Sequence, residues 1–169
     1  FSKCGSVIRH TANAIVVGDP LDESSVLGPL ANGPQFTKVQ SLIEAGIAEG
    51  AKLICGGPGR PDGLDKGYYA RPTIFSAVTT DMRVAQEEIF GPVVVIMPYT
   101  DLDDAERIAN ATVYGLSSHV QSASIDNARA GALAQQRSCL SQDSLRRGAG
   151  LPSILQQCGA IVFTDAMAS

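Results

Sequence analysis

Gln86-Glu87-Glu88-Ile89-Phe90-Gly91-Pro92-Val93-Val94-Val95 joins a charged, turn-like lead to a run of β-branched residues. One aromatic and a Gly-Pro pair lie between them. A short apolar run bounded by such a turn signal reads as a buried strand. Two acidic side chains therefore sit directly against the core. A plainer reading makes Glu87 and Glu88 the solvated end of a helix, because charge pairs usually face water. The neighbouring segments decide between the two.

Moving outward, Asp81 to Glu87 is a short helical or turn segment, and Tyr69 to Val78 alternates and is rich in β-branched and aromatic residues. Pro72 argues for a sheet edge or a strand start, since proline donates no ladder hydrogen bond. Lys52 to Cys55 is a strand candidate, closed by Gly56-Gly57-Pro58-Gly59 and a long polar loop through Lys66. Phe36, Val39, Leu42, Ile43 and Ile47 form one helical stripe, with Pro34 suited to its first turn and Gly50 to a left-handed C-terminal cap. Val7, Ile8, Ala12 and Ile15 place an amphipathic helix at the start of the chain. Ile15-Val16-Val17 then stops at Gly18-Asp19-Pro20. Downstream, a strand runs Val93 to Met97, and Asp101 can cap a helix that faces the core with Leu102, Ala105, Ile108 and Ala109. Gly115 to Gln121 reads as a strand, and Ser124 or Asp126 opens a helix through Gln135. Strands alternating with helices predict an α/β fold with a mostly parallel sheet and flanking helices.

The totals limit the function classes. A length of 169 residues suits one domain or part of a larger one. With 44% hydrophobic and 18% charged residues, disorder is not indicated. The longest apolar run, Val93 to Met97, falls far short of the roughly 18–20 residues of a spanning helix. No secretory leader opens the chain, so a cytoplasmic protein is expected. Thirteen basic against seventeen acidic residues give a net charge of −4, which does not attract nucleic acid. Cys4, Cys55, Cys139 and Cys158 form no C-x-x-C pair and have no histidine at ligand spacing, so neither a metal site nor disulfides are expected. Gly56-Gly57-Pro58-Gly59 misplaces the third glycine of a pyrophosphate turn, so this segment holds no dinucleotide domain of its own.

Glu87-Glu88-Ile89-Phe90-Gly91-Pro92 closely resembles the signature of the aldehyde dehydrogenase superfamily. Other segments resemble it in order and at similar spacing: Val17-Gly18-Asp19-Pro20 with Gly28-Pro29-Leu30, Glu49-Gly50-Ala51-Lys52 with Gly56-Gly57, Gly67-Tyr68-Tyr69 with Pro72-Thr73-Ile74-Phe75, and Ala109-Asn110 with Tyr114-Gly115-Leu116. The resemblance covers residues 1–136 and implies the C-terminal part of a catalytic domain. The implied parent chemistry is NAD(P)-dependent oxidation of an aldehyde to a carboxylic acid. Glu88 matches the glutamate that accepts hydrogen bonds from the nicotinamide ribose, and Phe90 matches the aromatic beside the nicotinamide ring. Both roles suit the groups, since a carboxylate accepts only and an aromatic face is a flat apolar wall. In the family, the nucleophilic cysteine and the glutamate general base lie upstream of the helix that begins this chain. Cys4 is not that cysteine. The resemblance therefore implies a chain that lacks the nucleotide-binding domain and does not work as a dehydrogenase by itself.

The match ends at Gln136. Where the family continues into a strand, a glycine-rich loop and an oligomerisation strand, this chain reads Arg137-Ser138-Cys139-Leu140-Ser141-Gln142. A frameshifted reading frame and evolved divergence both produce such a break, and residues 137–169 are read as a tail packing on the first part. Two rival functions stand beside the dehydrogenase fragment. One is a small esterase with a recruited nucleophile, drawn from Cys4 with His10 or from Ser117 and Ser118 beside His119. The other is a non-catalytic remnant. Asp101, Asp103 and Asp104 look like a metal cluster, but the first turn of a helix explains them through its dipole. A small-molecule substrate and a homo-oligomer complete the expectations, with exposed apolar faces driving the association.

Overall fold

In the computed structural model, residues 2–114, 119–120, 124–126, 129 and 162–163 are described. Helix α1 spans Ser2–Asn13, α2 Gly33–Ala48, and strand β1 Lys52–Cys55. Strand β2 is Thr73–Ser76, helix α3 Arg83–Gln86, strand β3 Val93–Val95 and helix α4 Leu102–Ala109. The chain divides into two units, residues 1–96 and 97–169.

The first unit is built on a three-stranded sheet in the order β1-β2-β3. Strand β2 is buried along its whole length, and Phe75 is fully inaccessible. It pairs in parallel with β3, matching Thr73, Ile74 and Phe75 to Val93, Val94 and Val95, and the crossover between them carries α3. The α/β class holds, with a mixed sheet. Strand β1 runs antiparallel to β2, because the connection through residues 56–72 contains no helix to carry it across. Pro72 marks the start of central β2, not an edge. Its carbonyl lies 2.2 Å from where a Cβ on Gly56 would stand, and Gly56 has φ +78°, so the turn out of β1 requires glycine.

Helix α2 starts as its sequence dictates. Asn32 caps it by accepting a hydrogen bond from the Gln35 N–H at 2.8 Å, Pro34 occupies the first turn, and Gly50 beyond its end has φ +96°. The buried face is Val39, Leu42, Ile43 and Gly46. That corrects the predicted stripe at its C-terminal end, where Ile47 is 43% exposed. Gly46 replaces it because Val84 Cγ1 and the Phe75 ring lie 2.8 and 3.3 Å from its missing Cβ. The helix thereby sits against α3 and the Phe75 ring more closely than any side chain at 46 would allow.

The buried strand predicted over Val93 to Met97 forms only at Val93–Val95 and is half-buried there, with Val94 41% exposed. Among the described residues β3 pairs with β2 alone, so it forms the edge of the sheet. In the second unit, Asp101 caps α4 as expected, by accepting from the Asp104 N–H at 2.8 Å. Ala105 and Ile108 are buried, whereas Leu102, predicted to face inward, is 47% exposed because it sits in the first turn. Strand β4 (His119–Val120), inside the predicted Gly115–Gln121 strand, pairs in parallel with β5 (Val162–Phe163). The helix expected through Gln135 and the division expected after Gln136 fall for the most part outside the described residues.

Candidate functional site

Glu87 and Glu88 part company at the end of α3. Glu87 turns back to Arg83, one helical turn earlier, in a 2.8 Å ion pair. The hydrogen bond to Glu87, followed by its charge, raises the Arg83 guanidinium above its ordinary range. Arg83 also donates its backbone N–H to Glu49 at 2.8 Å, which ties α3 to the end of α2. Glu88 is half-buried, and its carboxylate has no hydrogen bond or ion pair among the described residues.

Three consecutive carbonyls then face α2. Lys38 donates from Nζ to the Glu88 carbonyl at 2.6 Å, and Gln35 donates from Nε2 to the Ile89 and Phe90 carbonyls at 2.7 and 3.2 Å. Spaced three apart, Gln35 and Lys38 project from the same face of α2. Phe90 has φ +51°, a left-handed conformation disfavoured for a bulky residue. Carbonyls fixed on both sides of it hold that conformation. The next residue shows why the segment lies so close to α2. A Cβ on Gly91 would stand 2.7 Å from Val39 Cγ2. Beyond it, the Pro92 carbonyl accepts from the Thr73 N–H at 2.8 Å and hands the chain to the sheet.

The outcome is a half-exposed aromatic ring, 53% accessible, with the Lys38 ammonium 5.7 Å from its centroid. The Glu88 carboxylate, without a partner among the described residues, lies two residues away along the chain. Sequence reading picked out Glu88 and Phe90 but missed Gln35 and Lys38. Their spacing on one helix face was visible, but nothing in the sequence paired them with carbonyls some fifty residues later.

The other candidates are placed differently. His10 is exposed on α1. Ser117 and Ser118, and the side chains of Cys4 and His119, lie outside the described residues, as do Cys139 and Cys158. Cys55 is half-buried, and burial pushes its thiol up, against opposing effects of an Ile74 backbone hydrogen bond and the Arg9 charge. Asp101 is a cap, and Asp104 accepts from the Thr100 N–H and pairs with Arg107, whose hydrogen bond is the main cause of its lowered pKa. Among the described residues no group of three His, Cys, Asp or Glu side chains is placed to hold a metal ion, and no helix is long and apolar enough to cross a membrane.

Sequence and fold can be set beside those of known proteins. The chain is 59% identical over 121 residues to 3-succinoylsemialdehyde-pyridine dehydrogenase of a Pseudomonas species, covering 72% of this chain and 25% of that protein. Among solved structures, a variant of aldehyde dehydrogenase C from Pseudomonas syringae, complexed with NAD+ and octanal, superposes with a TM-score of 0.76 at 53% identity. The overlap takes in 79% of this chain and 27% of that one. An aldehyde dehydrogenase of Mycobacterium tuberculosis complexed with NAD+ gives 0.73 at 40% identity, over 82% of this chain and 28% of its own. The chain thus spans about a quarter of the length of the relatives it matches. The profile of the aldehyde dehydrogenase family matches residues 5–139, which is most of the sequence. The chain belongs to the aldehyde dehydrogenase family.

Proposed function

We propose that this chain supplies the nicotinamide-ribose end of the cofactor site of an NAD(P)-dependent aldehyde dehydrogenase, with Glu88 as ribose acceptor and Phe90 as the wall beside the ring. The observation that carries this reading is the Phe90 conformation. A non-glycine residue with φ +51° is a strained arrangement of the kind that clusters at functional sites, and this one presents an exposed ring. The residues present fit that end of the cofactor. A carboxylate with no partner among the described residues can accept from a diol, and a half-exposed aromatic face can lie beside a planar ring. When bound, the cofactor would accept hydride from the substrate. The chain's own part is to bind and orient it.

In this reading the thiol nucleophile and the deacylating base come from elsewhere, and residues 137–169 are a divergent tail on the catalytic part. Cys55 is poorly suited to attack, because burial favours its protonated form. The substrate class is a small aldehyde and the compartment cytoplasmic. The test is an NMR titration of the whole chain with nicotinamide mononucleotide and, separately, adenosine monophosphate. Signals of Glu88, Ile89 and Phe90 should move with the first and not the second, and Glu88→Gln should weaken the response. Equal shifts with both nucleotides, or none at millimolar concentration, would sink the reading.

A further inference from the structure

We infer that the Asn32-Gly33 peptide is a site of spontaneous succinimide formation, and that its conversion to isoaspartate dislodges the cap of α2. This goes beyond the cofactor reading and does not depend on it. Of the four asparagines, Asn13, Asn110 and Asn127 precede alanine, and Asn32 alone precedes glycine. Asn32 is exposed, with φ −163° and ψ 173°, and Gly33 is the first residue of α2. Its N–H has no intrahelical acceptor. With no Cβ on Gly33, the approach of its nitrogen to a neighbouring carbonyl carbon is unhindered.

The chemistry balances without any co-reactant other than water. The Gly33 backbone nitrogen adds to Asn32 Cγ, forming a carbon–nitrogen bond. The bond from Cγ to the side-chain nitrogen breaks, and ammonia leaves with the proton shed by the Gly33 amide. Water then opens the five-membered imide at either carbonyl, giving aspartate or isoaspartate. The Gln35 N–H, 2.8 Å from Asn32 Oδ1, already donates to the oxygen on which negative charge develops during the addition. Helix ends fray, so the peptide can leave its extended ψ and reach the ring-closing geometry.

The products differ in consequence. Aspartate restores an oxygen acceptor at the cap position. Isoaspartate adds a methylene to the main chain there and takes the acceptor out of register with the Gln35 N–H. Gln35 is also the residue whose side chain holds the Ile89 and Phe90 carbonyls. Slow conversion at Asn32 therefore loosens the Glu88–Phe90 segment through the first turn of α2.

The test is incubation of the whole chain at pH 7 to 8 for several weeks, followed by proteolysis and tandem mass spectrometry. Asn32 should gain the mass of amide-to-acid exchange at least tenfold faster than Asn13 or Asn110, with isoaspartate in excess. Gly33→Ala should slow this by about tenfold, equivalent to ~1.4 kcal/mol of barrier. Asp62-Gly63 can also yield isoaspartate, but by loss of water and without net mass change, so the two sites separate. An Asn32 rate no greater than that of Asn13 and Asn110 would overturn the proposal. That ratio comes from one population of wild-type molecules, so it decides even where Gly33→Ala does not fold. For the second half, hydrogen exchange at Ile89 to Gly91 should quicken in the isoaspartate form and not in Asn32→Asp. Equal exchange in both forms would refute the coupling.

Discussion

Ala77 leaves the central strand with φ +54°, and only Phe90 shares that left-handed conformation among the described non-glycine residues. Such a conformation costs an L-residue about 1–2 kcal/mol, and glycine escapes most of it while losing more entropy on folding. Ala77 is exposed, so glycine there gives up little buried apolar surface. Ala77→Gly should therefore raise stability by up to about 1 kcal/mol in urea unfolding. Gly56 is the opposite case. It has φ +78°, and an added Cβ would meet backbone atoms of Pro72 and Thr73 at 2.2 and 2.7 Å. Gly56→Ala should cost roughly 3 kcal/mol, since main chain rather than a flexible side chain must give way. If the two substitutions changed the urea midpoint in the same direction, backbone conformation would not be what sets these positions. The glycine was legible in the sequence as a loop residue. The alanine was not, because nothing in Ser76-Ala77-Val78 signals a left turn.

At the scale of elements, α2 holds two roles along one face. Val39, Leu42, Ile43 and Gly46 bury its later turns, while Gln35 and Lys38 nearer its start hold the carbonyls of Glu88, Ile89 and Phe90. Gln35→Ala leaves the four buried residues in place and frees two carbonyls, so a loss of about 1–2 kcal/mol is expected, with faster amide exchange confined to residues 89–91. Uniform exchange changes across the unit would show that Gln35 is merely part of the core. Helix α4 offers a titration. Asp104 lies below the ordinary carboxylate range, chiefly through the Arg107 hydrogen bond, so its contribution is present above that range and is lost as pH falls through the depressed value. Arg107→Gln should move the Asp104 carbon-13 titration upward, and an unmoved curve would assign the shift to Thr100 alone. Helix α2 and its closing glycine were readable because one apolar stripe, a proline and that glycine all agreed, whereas the Asn32 cap emerged only from the structure. The antiparallel β1 was misjudged because α/β alternation predicts crossovers. The loop through residues 56–72 has no apolar period, yet still returns the chain to the same sheet.

For the whole molecule, the legible part of the candidate site was chemical and the hidden part was spatial. Glu88 and Phe90 stood out as residue types beside a strand, whereas the left-handed Phe90 and its support from α2 exist only once distant segments meet. Exposed Val94 on edge strand β3 and Leu53 on β1 leave apolar surface on the sheet of the first unit. We expect self-association on such surfaces, and a monodisperse monomer in sedimentation at micromolar concentration would refute it. The dehydrogenase chemistry of the family needs an activated thiolate, a base for the deacylating water and a cofactor held in place. Under the proposed reading, Glu88 and Phe90 serve the third requirement alone, and only at its nicotinamide-ribose end. Every 1.4 kcal/mol of lost contact weakens binding about tenfold, so the chain alone should leave NAD unbound at ordinary concentrations and oxidise no aldehyde. Calorimetric titration with NAD, run beside an absorbance assay for reduced cofactor on several aldehydes, checks this. Micromolar binding would overturn it, as would turnover that survives Cys4→Ala, Cys55→Ala, Cys139→Ala and Cys158→Ala in separate variants and disappears with Glu88→Gln.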